Sequence, residues 1–571
     1  MYALKPTSFF RPSSRPTSPV PAPRQEVPVV GDRAARPLSK LSLSTFRKPS
    51  PSPVSLPAGA AAPSTVVQDG SFMEVLSLKL SEAVSRALAQ PTGPAAPGEL
   101  LAGRRPIPSG RGRALGALIV SEINASRENP HVYRAVIRTL QRPLSVLSTN
   151  LSSNLVSLIS SPAFGSPAAP TPQNPELNAT QLHAVSLATF AGELLESFDE
   201  IGLGFEVDTR GESLRSIREG LVSIVKRVVD PLIAGIKHEL LPILDALETA
   251  PSPPVGPTSS AGKSSGGIKS PVPHPAIMTL QATIPIHARA LSRIVASAYA
   301  ENALASLVIS LIWRGMVALA HRPTLLPSPP SSPSMGTIAL LKSKDSKKTL
   351  GGQTPASPPA TPPASRFTLK LPPSRPPSPP SVISRGPTVA ADARTLYNLL
   401  NQLPKPSLSK EQTRLAREVV DEAFDGLSAF IALLESIQVH TPPVRSSSGT
   451  GSANTSPKVT PLADLEADLD LLTADIPIVI ALPLLLRTYL PGERSVPAIL
   501  GLGEVEYRKN CLSGFGRAEE CGVAVGQRVL DVLRAQGSGG ADAEPLLKWL
   551  ERELKTARAE RDEGDVVMHG H

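Results

Sequence analysis

Cysteine and aromatic residues are what this sequence has least of. Cys511 and Cys521 are its only cysteines in 571 residues, which excludes a disulfide-stapled fold and points to a reducing, intracellular compartment. The two stand ten positions apart, and no histidine follows until His569 and His571. A zinc box of four closely paired ligands is therefore excluded, and two buried thiols are expected. Aromatic residues make up 4% of the chain, against 63 prolines and 40 glycines; much of such a chain cannot bury enough surface to offset the entropy of ordering it. No segment keeps the period-two alternation of a strand, so the fold class expected is all-α: an irregular multi-helix bundle or short solenoid-like core interrupted by long Pro/Ser-rich linkers.

Other absences bear on function. Gly262-Lys263-Ser264 ends like a phosphate loop, but Pro257 stands where the loop's first glycine belongs, and neither strand nor helix frames it. Gly514-x-Gly516 leads to Glu519 rather than glycine, so a dinucleotide fingerprint fails; these glycines, with Gly522 and Gly526, read as a helix end and a close packing face. The nine histidines are scattered without a serine and carboxylate beside any of them, and His238 reads as a surface residue. No catalytic, cofactor-binding or metal-ligating residue is expected, and no cofactor. The first thirty residues hold no apolar run of secretory type. Prolines 6, 12, 16, 19, 21 and 23 forbid the amphipathic helix of a mitochondrial presequence.

Against this, 41% of the residues are apolar and they come in blocks. The organisation read from them is a basic Pro/Ser-rich tail 1–67, a helical block 68–250, a linker 251–272, a central apolar block 273–322, a Pro-rich linker 323–388, a helical block 389–440, a linker 441–460, a C-terminal helical block 461–563, and a tail 564–571. Asp69 or Ser71 is expected to cap a first helix carrying Phe72, Val75, Leu76, Leu80, Val84 and Leu88. Further helices are expected over 114–125, 131–160 with Pro143 kinking it, and 176–199. The strongest periodicity runs Leu214, Ile217, Leu221, Ile224, Val228, Leu232, Ile236, Leu240, Ile243, Leu247, bent by Pro231 and Pro242. After the 323–388 linker come 390–403 and a helix opened by a Ser409-x-x-Gln412 capping box, with Leu415, Val419, Phe424, Leu427, Ile431 and Leu434 on one side. Thr460-Pro461 starts another, 476–486 is a buried core segment, and helices follow over 496–511, 517–535 and 543–560.

The stretch the rest is organised around is Ile284 to Ala320. Within it Asn302, Ser306, Ser310 and Arg314 fall four apart and make one polar row on a helix that is otherwise apolar, the pattern of a helix covered on nearly every side. A membrane span needs about 20 apolar residues, and Arg289, Arg293, Glu301 and Arg314 leave only about 12 uninterrupted positions. A core helix is the expectation, and a membrane-associated protein using 284–320 and the basic tails is the alternative.

Charge sorts by segment. The net +9 of the chain arises from about +18 in the tail and linkers, with +7 in 1–68 and +7 in 323–388, so the helical blocks are left at about −9. Basic charge on linkers and acidity on the folded part disfavour a nucleic-acid partner. The linkers also hold most of seventeen Ser-Pro or Thr-Pro pairs; Ser328, Ser332, Thr354, Ser357, Thr361, Ser378, Thr441, Ser456 and Thr460 are candidate sites for a proline-directed kinase. Each phosphate would add nearly two negative charges. Lys370, Pro373 and Pro376 fit the pattern read by SH3-type modules. Arg104, Arg105, Arg111 and Arg113, or Lys342 to Lys348, can be read as nuclear import signals. The functional expectation is a non-enzymatic scaffold or adaptor, cytoplasmic or nuclear, with phospho-regulated proline-rich linkers; an enzyme whose site is assembled only in space is a second alternative.

Overall fold

The computed structural model describes residues 65–205, 212–250, 273–323, 388–440, 462–492, 495–537 and 543–569. Apart from one isolated bridge between Leu101 and Arg104, regular structure among these residues is helical, so the chain is all-α. The first half contains α1 (Thr65–Leu88), α2 (Arg111–Ser126), α3 (Pro130–Ile159), the single turn α4 (Pro162–Gly165), α5 (Ala179–Glu200) and α6 (Glu212–Asp245), which runs on into a 3-10 turn at Ala246–Glu248. Then come α7 (Pro275–Ile294), α8 (Ala298–His321), α9 (Val389–Leu400) and α10 (Glu411–His440). The chain closes with α11 (Leu462–Thr473), α12 (Ile478–Tyr489), α13 (Val496–Leu500), α14 (Glu504–Cys511), α15 (Phe515–Ala535) and α16 (Glu544–His569).

Helix α8 lies at the centre because its composition leaves nowhere else for it. Leu304, Leu307, Val308, Leu311, Ile312 and Met316 are all within 1% of full burial, each such side chain contributing about 1.5–3 kcal/mol relative to exposure. It packs on α5 and α6, which precede it, and on α9, α10 and α12, which follow. The expected polar row is where the sequence puts it: Asn302 and Ser306 are exposed, Ser310 and Arg314 half-buried. Its covered end meets the polar side of α6, where Lys237 Nζ donates to Ser310 Oγ at 3.0 Å and the Arg314 guanidinium forks onto the Asp245 carboxylate.

The 284–320 stretch is not one rod. Chain direction changes at Val295–Ser297, and the Glu196 carboxylate accepts from the Ala298 amide at 2.8 Å, supplying the cap that lets α8 start afresh. Elsewhere the expected faces shift by one position. In α6 the seam closes on Leu244 and Leu247, Ile243 being only partly buried. On α10 the buried row is Val420, Phe424, Leu427, Ile431 and Leu434, while Leu415 is 69% and Val419 39% exposed. Helix α1 begins at Thr65, ahead of both expected caps. It buries Leu76, Leu80 and Val84, while Phe72 and Val75 face outward.

Two expected starts and ends also differ. The Ser409 amide donates to Ser407 Oγ and the Gln412 side chain to Asp199 Oδ2 at 2.6 Å, so the capping box does not form. Asp199 instead gathers Gln412, Arg218 and the Tyr299 hydroxyl, joining α10, α6 and α8 to α5. The 496–511 helix is split because Gly501 takes a left-handed conformation, φ 72°, that ends α13. Pro143, Pro231 and Pro242 sit inside helices that continue through them. The Thr460-Pro461 start lies outside the described residues.

The two tryptophans, unread in the sequence, pin the C-terminal helices. Trp313 Nε1 donates to the Leu512 carbonyl at 2.8 Å and its ring lies 4.6 Å from that of Phe515. Trp549 Nε1 donates to Thr473 Oγ1 at 2.9 Å. Each buries a large ring while its one donor is satisfied.

Candidate functional site

Two features have the chemistry of a working part. One is a buried polar knot at the ends of α6, α7, α8 and α9. His274 precedes α7, and its Nε2 donates to the Thr249 carbonyl at 3.0 Å while Nδ1 accepts from the Ala276 amide at 3.2 Å. Those partners require the neutral imidazole; burial lowers its proton affinity, the Thr249 carbonyl opposes this, and the neighbouring Arg322 lowers it further, against Asp392. Arg322, just past α8, donates to Asp392 Oδ2 at 2.6 Å and to the Leu247 carbonyl at 2.5 Å. Both partners of that ion pair are at least 97% buried. The guanidinium of Arg487 in α12 donates to the carbonyls of Ala320 and Arg322, closing the far side.

The knot has a topological consequence. Residue 249 lies just before the 251–272 stretch and residue 274 just after it; residue 322 lies just before the 324–387 stretch and residue 392 just after it. Both stretches therefore leave and rejoin the core at adjoining points, with the two ends of each held together by a hydrogen bond, part-buried at Thr249–His274 and buried at Arg322–Asp392.

The second feature is a groove of about 2310 Å³. One wall is α10 from Glu418 to Ala432; the others are the starts of α15 and the end of α16, and the floor is the α11–α12 turn with Ile309 of α8 beneath. Small residues on α10 and α15, such as Ala423, Gly426, Ala518 and Gly522, are part of its lining. Nine lining residues are carboxylates, among them Glu422, Asp425 and Asp475, against Arg552 and Lys555. Burial, followed by the charge of Glu422, pushes the Glu519 carboxyl above its ordinary range. Burial also raises Glu553, although Thr473 donates to it at 3.1 Å. Asp421 goes the other way: burial opposes its ionisation, but Arg417 at 2.6 Å and Lys405 hold it below the usual value.

The sequence-predicted sites fall as follows. Ser328, Ser332, Thr354, Ser357, Thr361, Ser378, Thr441, Ser456 and Thr460, the Lys370, Pro373, Pro376 motif, Lys342 to Lys348 and Gly262-Lys263-Ser264 all lie outside the described residues. Of the arginine cluster, Arg105 pairs with Glu99 at 3.3 Å and Arg111 donates to the Ala87 carbonyl at 3.2 Å, so half of it works to seat the α1–α2 connection. His238 is exposed, as expected. Cys511 is buried but Cys521 only half so, a correction to two buried thiols. The pair is adjacent in space, and burial followed by Cys521 pushes the Cys511 thiol up to about 11. Among the described residues no group of three or more His, Cys, Asp or Glu side chains is arranged to hold a metal ion.

Neither feature was readable in sequence, because the knot joins residues up to 167 positions apart and the groove's carboxylates spread from 418 to 553. Fold and site define an all-α, multi-helix core with an acidic trough on its surface. No family model, no curated protein and no solved structure matches the chain.

Proposed function

We propose that this protein is a non-enzymatic, intracellular helical scaffold: a preassembled core that displays proline-rich tracts, which dock SH3-type modules and are tuned by a proline-directed kinase. What supports this is the knot. A tract whose two ends are clasped by hydrogen bonds at Thr249–His274 or Arg322–Asp392, the latter buried, can change partners without altering the packing of the helices that carry it. Such a tract behaves as a tethered ligand, raising the effective concentration of whatever it binds. Phosphates on Ser328, Ser332, Thr354, Ser357, Thr361 and Ser378 would reverse the sign of the 323–388 tract from its +7.

The test is affinity purification of the full chain with and without phosphatase treatment, beside a Pro373→Ala/Pro376→Ala variant. The reading expects the bound set to change on dephosphorylation and an SH3-containing partner to be lost from the variant. A bound set identical in all three samples would remove the regulated-adaptor reading. A second reading has one observation in its favour: α8 is long and apolar enough to cross a membrane, with mean hydropathy 1.9, though 72% of its apolar window is buried against other helices. Carbonate extraction separates the two, since an integral protein stays in the pellet and the scaffold is released.

A further inference from the structure

The acidic groove has a candidate occupant in the same chain. The 323–388 tract carries 17 prolines, yet none falls between Pro333 and Pro355. Within that gap Thr337–Leu350 places Ile338, Leu340 and Leu341 ahead of Lys342, Lys344, Lys347 and Lys348, with Asp345 the one acid, a net +3. At 21 residues, 334–354 is the longest proline-free run in the tract, whose other such runs reach at most eight. As a helix its 14 residues would run about 21 Å, with its lysines in the later turns where the helix dipole favours cations. The wall of the groove from Glu418 to Ala432 is about the same length, about 21 Å. Dividing the groove's 2310 Å³ by that length leaves a cross-section of about 110 Å², the area of one helix with its side chains, about 10–12 Å across.

Charge and reach agree with shape. Nine carboxylates and two cations line the trough over an apolar floor that includes Ile309, Ile478 and Phe515; Glu418, Asp421, Asp470 and Glu520 are ion-paired with arginines, while Glu422 and Asp425 are exposed on the α10 wall. Ile309 is 12 residues from the end of α8, about 18 Å along the helix. The 15 residues from Arg322 to Gly336 can extend about 50 Å, so the stretch reaches the groove from where its tract leaves the core.

We infer that the cationic, proline-free stretch Thr337–Leu350 docks as a helix into the acidic groove between α10, α15 and α16. Resting on the scaffold reading, this adds a means of regulation: Ser332 and Thr354, the Ser/Thr-Pro sites that bracket the stretch, would bring it from +3 to about zero or below when phosphorylated, weakening its hold on the groove.

The test is zero-length carbodiimide cross-linking of the full chain, as an equal mixture of nitrogen-14 and nitrogen-15 protein, with linked peptides mapped by mass spectrometry. The expected result is links from Lys342, Lys344, Lys347 or Lys348 to Glu422, Asp425, Glu519 or Glu553, within one isotope, at least tenfold above those made by Lys263 or Lys458. An exposed double substitution, Glu422→Lys/Asp425→Lys, should cut the links to Glu519 and Glu553 at least tenfold while the thermal unfolding curve keeps its shape. Links at the level of Lys263 and Lys458 would overturn the proposal. So would links found only between isotopes, which would place a second copy in the groove. A synthetic 334–354 peptide gives an independent reading: it should bind at least tenfold more tightly to a chain whose 334–354 stretch is replaced by a Gly/Ser linker than to the natural chain, and equal binding to both contradicts docking. Because these readouts do not involve Lys370, Pro373 or Pro376, they can fail while the module-docking reading stands, and the reverse.

Discussion

The knot at Arg322 and the trough at Glu422 show two opposite treatments of charge in one fold. At the knot an opposite pair is withdrawn from water: Arg322 and Asp392 are 3% and 2% exposed and are hydrogen-bonded to each other and to backbone. At the trough like charges are gathered at the surface: Glu422 and Asp425 are exposed on consecutive turns of α10, while Glu418, Asp421, Asp470 and Glu520 are ion-paired with arginines. The first arrangement costs desolvation and returns a fixed geometry. The second costs mutual repulsion and returns a negative field at the surface. The difference separates the residues that hold the core together from those available for recognition.

The comparison is broken most forcefully at the knot. Replacing Asp392 with alanine leaves the Arg322 cation buried and unpaired, and urea unfolding should show a loss of about 3–5 kcal/mol. A loss below about 1 kcal/mol would mean the pair is not buried as described. Next comes the close approach of α2 to α5. A Cβ on Gly112 would meet the Phe190 carbonyl at 2.3 Å and the Glu193 side chain at 2.9 Å. It would also disturb the Glu193 carboxylate, which accepts from the amides of Gly110 and Gly112 at 2.7 and 3.0 Å. Gly112→Ala should cost about 1–3 kcal/mol by the same measurement.

A third prediction concerns pH. His287 is 2% exposed, its Nδ1 has no hydrogen-bond partner, and burial lowers its pKa to about 4. Between pH 6.5 and 4 the unfolded chain binds a proton there that the folded chain does not, so stability is intact above 6.5 and declines as pH falls. The slope from this group approaches about 1.4 kcal/mol per pH unit. His274 and His321, both lowered by burial first, act in the same direction. His287→Leu should flatten the decline, and an unchanged pH profile would remove His287 from the account. The smallest effect on stability is expected at the trough. Glu422→Lys/Asp425→Lys should scarcely move the urea midpoint, because the side chains are exposed, yet should speed tryptic cleavage at Lys342–Lys348 severalfold. A large fall in midpoint would show these carboxylates to be structural.

How much of this was legible in the sequence depended on whether the signal was local. The α6 seam and the polar row of α8 were readable because a helix repeats every 3.6 residues and one buried face writes itself into composition. The failures at Phe72, Val75, Leu415 and Val419 came from the same rule. Neighbouring elements decide which apolar side chains along a helix are covered, and periodicity alone cannot say. The Ser409 capping box lost to tertiary contacts, since Gln412 found Asp199, 213 residues away. The break before α8 could not be foreseen because its cap comes from Glu196, 102 residues earlier. The trough was hidden for a related reason: its acids look like solvated helix faces one at a time, and only packing sets α10 opposite α15 and α16.

The central claim is that helices from both sides of α8 form one core, with the proline-rich tract between α8 and α9 a loop that leaves and returns to it. Inserting a specific protease site after Thr354, cutting the purified full chain there, and passing it over a sizing column tests this directly. The account predicts that the two fragments elute together at the position of the uncut protein and unfold in a single urea transition. Two separately eluting, independently folded pieces would contradict it.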